Sequence, residues 1–253
     1  MKVFLISVGF YKRVVKRLIL ITSIALVIAT VGIIFEDALV NSIEASAPVK
    51  NDDLVIILDA GHGGEDVGAT GVTGVFEKDL NLEVTFIIGE LLINEGYTVV
   101  YTRNTDRLLY TEEQNIKGLR KISDLKNRCN IGNSYENAIF VSIHMNTFGA
   151  SKYSGLQVYY ANERDDSERL ARFIQSEVKK SVQTENKRQV KNGKDLYLLD
   201  NCNATSVLVE CGFLSNQEEC EKLSQKEYQK ELSFSIVCGI IEYIKSISLT
   251  QST

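Results

Sequence analysis

Between residues 54 and 247 short apolar runs alternate with long amphipathic ones, and this alternation constrains the fold more than any other feature. Residues 55–58 form an apolar, β-branched run of strand type. Leu80, Val84, Ile87, Ile88 and Leu91 then recur at helical spacing across residues 77–95, with Gly96 at the stop position. Residues 97–102 read as a second strand. Ile116, Leu119, Ile122, Leu125 and Cys129 mark one face of the next helix, and an apolar run closing at His144 gives a third strand. There follow a strand at 156–160, a helix carrying Leu170, Phe173, Ile174 and Val178, and a short strand at 196–199. A strand at 207–210 and a helix through Tyr228, Leu232, Ile236, Ile240 and Ile244 complete the series. Strands separated by helices pair in parallel and are covered on both faces. The expectation is one α/β domain of about 200 residues with a mostly parallel sheet.

The N-terminus is of another kind. Residues 1–17 carry five basic side chains and no acid, residues 18–35 are uncharged, and Glu36 and Asp37 follow. Such a stretch is near the lower length limit for a membrane-spanning helix, and the charge asymmetry places the N-terminus in the cytoplasm and the remainder outside. Residues 18–35 thus read as an N-terminal hydrophobic helix, an uncleaved anchor in preference to a signal peptide. Ala45-Ser46-Ala47 offers a cleavage pattern but lies far beyond the apolar run. Residues 36–51 form a polar stalk, and 52–253 the exported domain.

A net charge of −5, with no dense basic block beyond the N-terminus, argues against a nucleic-acid partner. The five cysteines are odd in number, irregularly spaced and include no CxxC, which argues against a zinc ribbon and a fully paired disulfide framework. They read as buried small residues, with one disulfide open to an exported domain.

In parallel sheets, ligands bind beyond the carboxyl ends of the strands. Only two histidines occur in the chain. His62 follows the first strand in Asp59-Ala60-Gly61-His62-Gly63-Gly64, and His144 closes a central strand in Ser142-Ile143-His144-Met145-Asn146. Glu77 opens the first long helix after a Gly-rich loop, and Glu210 ends the run Val207-Leu208-Val209-Glu210. A parallel sheet brings all four to one rim. Two imidazoles and one carboxylate form a catalytic zinc set with an open fourth position, and nitrogen and oxygen donors suit that metal. The remaining carboxylate then serves as general base. Asp59 is expected to orient the loop or a ligand imidazole. Bland alternatives stand beside this: a histidine beside glycines as a structural or solvated residue, and Glu210 as a salt-bridged strand acid. A Ser142/His144 triad lacks a G-x-S-x-G elbow, Cys211 lacks any mark of activation, and no phosphate-loop pattern fits residues 61–74.

These motifs, together with Glu210-Cys211-Gly212-Phe213-Leu214-Ser215-Asn216, resemble the zinc-dependent N-acetylmuramoyl-L-alanine amidases of bacterial cell walls, in family order across residues 54–247. The resemblance implies a sheet of about six strands flanked by helices. It also implies one zinc ion per chain on His62, Glu77 and His144, with Glu210 as catalytic acid/base. The implied reaction is hydrolysis of the amide joining N-acetylmuramic acid to L-alanine, on a glycan strand bearing its stem peptide. Arg103 with Asp106, and Arg128 with Asn133, also stand at family-like positions. Cys211 departs from the usual small residue after the catalytic Glu and is expected to alter packing only. The short build, the N-terminal segment and residues 106–128 look similar to members that trim spore cortex to make muramic-δ-lactam for germination. Residues 108–126 could be a partner surface, a gate on the metal site or a solvated helix face, which leaves an activating protein partner open. The competing readings are a catalytically idle wall-binding module of the same fold and a zinc hydrolase of another acyl-amide bond.

Overall fold

The computed structural model describes residues 54–250. The expectations for residues 1–17, 18–35 and 36–51 lie outside the described residues. Among those described, no helix is long and apolar enough to cross a membrane.

Six strands and six α-helices follow one another: β1 (Val55–Ala60), α1 (Glu77–Asn94), β2 (Thr98–Tyr101), α2 (Arg120–Asn133), β3 (Ala138–Asn146), β4 (Gln157–Tyr160), α3 (Asp165–Ser181), β5 (Lys191–Asn192), α4 (Tyr197–Asn201), β6 (Thr205–Phe213), α5 (Gln217–Leu223) and α6 (Lys226–Thr250). The strands form one sheet in the order β2-β1-β3-β6-β4-β5. β2, β1, β3 and β6 are mutually parallel, and β4 runs antiparallel to β6. The expected mostly parallel α/β sheet of six strands is the observed one.

Side chains alternate across the sheet because successive strand residues point to opposite faces. Ile56, Leu58, Ile139, Val141, Ile143, Val207 and Val209 pack on one face with α1, α3 and α6. Val55, Ile57 and Phe140 face the other way, toward Cys129 of α2, Leu198 of α4 and Cys202. Asp59, Ser142, His144 and Glu210 share the parity of this second face. β1 and β3 are neighbours whose onward connections leave in opposite directions, from β1 through α1 to β2 on one side and from β3 to β4 on the other. That is the switch point at which such sheets bind ligands.

Two expectations need correction. Residues 196–199 are not a strand: Tyr197–Asn201 is the helix α4, entered by a turn in which Leu196 N–H bonds Gly193 O. A four-residue apolar run carries no period that separates helix from strand, and the place beside β4 is taken by the polar β5. The second helix begins at Arg120, and Ile116, Leu119 and Ile122 are exposed. The residues α2 buries are Asp124, Arg128, Cys129 and Gly132, so its inner face is largely ionic. All five cysteines are free thiols, and four are buried.

Candidate metal centre

β1 stops where the chain turns sharply. His62 has φ 62 and is followed by Gly63 at φ 139 and Gly64 at φ 54, a run of left-handed backbone that glycine adopts freely. Gly61 must also be glycine, because a Cβ there would stand 2.2 Å from His144 Nε2. Two buried arginines hold the loop by its carbonyls. Arg103 donates to Ala60 O at 2.8 Å and, through Nη2, to Gly61 O at 3.0 Å and Lys78 O at 2.8 Å. Arg128 donates to Ala60 O at 2.6 Å and His62 O at 2.7 Å.

Arg128 is also ion-paired with Asp59 at 2.7 Å and Asp124 at 2.8 Å, all three buried. Burial raises the Asp59 pKa, but Arg128 and the hydroxyls of Ser142 and Thr102 outweigh it and hold the carboxyl below its ordinary value. Asp59 therefore orients the loop, as one branch of the expectation had it, through Arg128. The group beside the His62 imidazole is Asp66, whose Oδ2 is 3.0 Å from His62 Nδ1.

Glu77 is the first residue of α1, where the helix N-terminus favours a carboxylate. Its Oε2 accepts the Ala69 N–H at 2.8 Å, and its Oε1 accepts the Met145 N–H at 3.2 Å. On Oε1 the two imidazoles converge, with His144 Nδ1 at 2.9 Å and His62 Nε2 at 3.1 Å. The ligand atoms of His62, Glu77 and His144 all lie within 4.8 Å of one another. Ligands about 2.0–2.1 Å from one tetrahedral zinc stand roughly 3.4 Å apart, so the spacing and the donor set both fit that ion. Burial lowers the His62 pKa, but its bonds to Asp66 and Glu77 carry it up to about 9. For Glu77, burial pulls upward and the two histidines hold the carboxyl well below its ordinary value.

Glu210 lies directly across the β3–β6 ladder from His144. Its Oε2 is buried with no hydrogen-bond partner. Burial is the largest influence on it and, with Glu77, outweighs the two histidines, raising its pKa to about 7. Beside the histidines opens a cavity of about 290 Å³, walled by Leu125, Leu196, Tyr197 and Leu208 and edged by Lys121 and Asp66. The structure thus gathers all four residues expected at the rim.

Asp106 pairs with Lys78 at 2.6 Å and accepts the Gly64 N–H at 2.7 Å, and the Arg103 charge also helps to hold its carboxyl below the ordinary value. Asn133 accepts the Asn203 N–H at 2.7 Å and donates to Asn201 O at 3.3 Å. Asp66 was missed; its signal was an acid four residues after His62 in a glycine-rich loop. Residues 108–126 lie against that loop, where Arg120 pairs with Glu65 at 2.7 Å and Lys121 with Asp66 at 3.3 Å.

A family model described as N-acetylmuramoyl-L-alanine amidase matches residues 56–242. The chain is 36% identical over 189 residues to the germination-specific N-acetylmuramoyl-L-alanine amidase of Bacillus subtilis, covering 75% of this chain and 79% of that protein. It is 30% identical over 192 residues to the amidase LytC of the same species, covering 75% of this chain but 35% of LytC. Among solved structures it is similar to the CwlD amidase of Clostridioides difficile in complex with the GerS lipoprotein. That match has a TM-score of 0.73 and 43% identity, over 76% of this chain and 98% of that one.

Proposed function

The chain belongs to the N-acetylmuramoyl-L-alanine amidase family and is a peptidoglycan amidase, and from that premise we propose that it is a zinc enzyme whose catalytic acid/base is Glu210. The observation that carries this reading is the convergence of His62, Glu77 and His144 beside a carboxylate with an unpartnered oxygen. His62 through Nε2, His144 through Nδ1 and Glu77 through its carboxylate would hold the ion. When bound, zinc supplies Lewis acidity toward the scissile carbonyl and toward water. Glu210, across the ladder from His144, takes the proton from the attacking water and returns it to the departing L-alanine nitrogen. Burial favours the neutral form of its carboxyl, so a proton taken up there is held until it is passed on. Arg103 and Arg128 keep the loop carbonyls, and with them His62, in place. The apolar wall of Leu196, Tyr197 and Leu208 receives the substrate beside the metal.

The similarity to a germination-specific amidase supports a finer assignment to spore cortex, where the cleavage would precede muramic-δ-lactam formation. The solved complex of the CwlD relative with a lipoprotein supports a protein partner for this chain as well. Action outside the cytoplasm, with residues 18–35 as anchor or signal, agrees with cell-wall and germination relatives.

The test is incubation of zinc-loaded protein with purified muropeptides, followed by mass spectrometry for free stem peptide. Glu210→Gln is expected to retain zinc and lose about 10²–10⁴-fold in rate, whereas His62→Ala loses both. Full zinc-dependent turnover by Glu210→Gln would overturn the role given to Glu210.

A further inference from the structure

Asp66 is fixed in the metal loop by backbone and side chain together. Gly63 and Asp66 exchange both N–H···O bonds at 3.0 Å, and Asp66 Oδ1 accepts the Gly68 N–H at 3.3 Å. This sets its Oδ2 at 3.0 Å from His62 Nδ1, while His62 Nε2 faces Glu77. The outer side of Asp66 meets α2, where Lys121 Nζ is 3.3 Å from the same oxygen. One residue earlier, Arg120 Nη1 holds both oxygens of Glu65, at 2.9 and 2.7 Å. The first turn of α2 is thus closed against the side of the loop that carries the acids.

An imidazole that presents Nε2 to a metal carries its proton on Nδ1, and an acceptor on that proton fixes both ring and tautomer. His62 needs such an acceptor, because its own backbone is in the left-handed region and its ring follows the loop rather than a strand. We infer that Asp66 is the positioning residue that turns His62 toward the metal, and that the first turn of α2 holds Asp66 and Glu65 in register behind it. The inference rests on His62 being a metal ligand, as proposed above. The two parts differ in size. Asp66 lies directly on the ring, whereas the Lys121 side chain is 67% exposed, and exposed pairs contribute little and are screened by salt.

Zinc affinity, measured by competition with a chromophoric chelator, tests this on the full chain and its variants, each first shown to melt cooperatively without metal. Asp66→Ala is expected to weaken zinc binding about 10–100-fold. Asp66→Asn, whose amide oxygen still accepts from Nδ1–H, recovers most of that loss. Lys121→Ala changes affinity by no more than about threefold. Undiminished affinity in Asp66→Ala, or an Asn variant no better than Ala, overturns the inference. Should Asp66→Ala not fold, the His62 ring protons of the zinc-loaded wild type decide: a slowly exchanging Nδ1–H supports the assignment, and a metal-bound Nδ1 overturns it. Wild-type protein that binds no zinc would instead overturn the metal reading itself.

Discussion

Glu210 has a charge that the fold does not welcome. Its carboxyl rises from an ordinary 4.5 to about 7, with burial as the largest cause and one oxygen unpartnered. A group whose folded pKa is raised binds its proton more tightly when folded. Relative to an uncharged side chain, the penalty is therefore absent below about 4.5, grows from there, and is complete above about 7. Glu210→Gln has no charge to bury. The metal-free variant is expected to match the wild type near pH 4 and to exceed it at pH 8 by up to about 3 kcal/mol, since each pKa unit is worth about 1.4 kcal/mol. Urea denaturation at the two pH values measures the difference, and a stability gap that does not change with pH would refute the burial argument. The same substitution abolishes the proposed proton transfer, so at this position stability and activity pull in opposite directions.

α2 shows a similar trade at the scale of an element. Its inner face carries Asp124 and Arg128, and Arg128 joins Asp59 of β1 to the carbonyls of Ala60 and His62. Breaking such a pair leaves a fully buried carboxylate without its cation. Arg128→Met is expected to lower stability by about 3–5 kcal/mol. Adding Asp59→Asn is expected to restore part of it, because one of the two buried carboxylates left without a cation, Asp59 and Asp124, is then neutral. Chemical denaturation of the single and double variants checks this, and an Arg128→Met protein within about 1 kcal/mol of wild type would contradict it. This network explains what could be read from the chain and what could not. β1, β3, β6, α1 and α6 declared themselves through apolar period, because their cores are apolar and local in pattern. The buried face of α2 is ionic, so Ile116, Leu119 and Ile122 suggested a face that turned out to lie outside. Asp59 and Arg128 are 69 residues apart, a distance over which no local pattern pairs two charges. His62, Glu77, His144 and Glu210 were legible because rare or charged residues in the C-terminal halves of strands, just after a strand or at a helix start converge once the strands run parallel. Asp66 required the turn geometry of the loop, which follows from His62 and Gly64 at positive φ.

At the scale of the whole molecule, the shares of each relative that align bear on where the enzyme works. The match to the germination-specific amidase takes in 79% of that protein, whereas the match to LytC takes in only 35% of it. The likeness to LytC is therefore confined to a part of that protein, while the likeness to the germination enzyme extends over most of its length. The chemistry agrees with the spore-cortex assignment proposed above. Hydrolysis of the muramoyl amide leaves the lactyl carboxyl free, and a δ-lactam ring closes between that carboxyl and the amine of the same sugar. An amidase must therefore act before the ring can form, and a separate step must strip the acetyl group from the amine. Deleting this gene from the producing strain is expected to leave spores that assemble a cortex but lack muramic-δ-lactam, with the stem peptides retained in their place. Liquid chromatography and mass spectrometry of digested cortex measure both. Restoration by the wild-type gene and not by Glu210→Gln would tie the product to this site, while normal lactam in the deletion strain would assign the enzyme to another part of the wall.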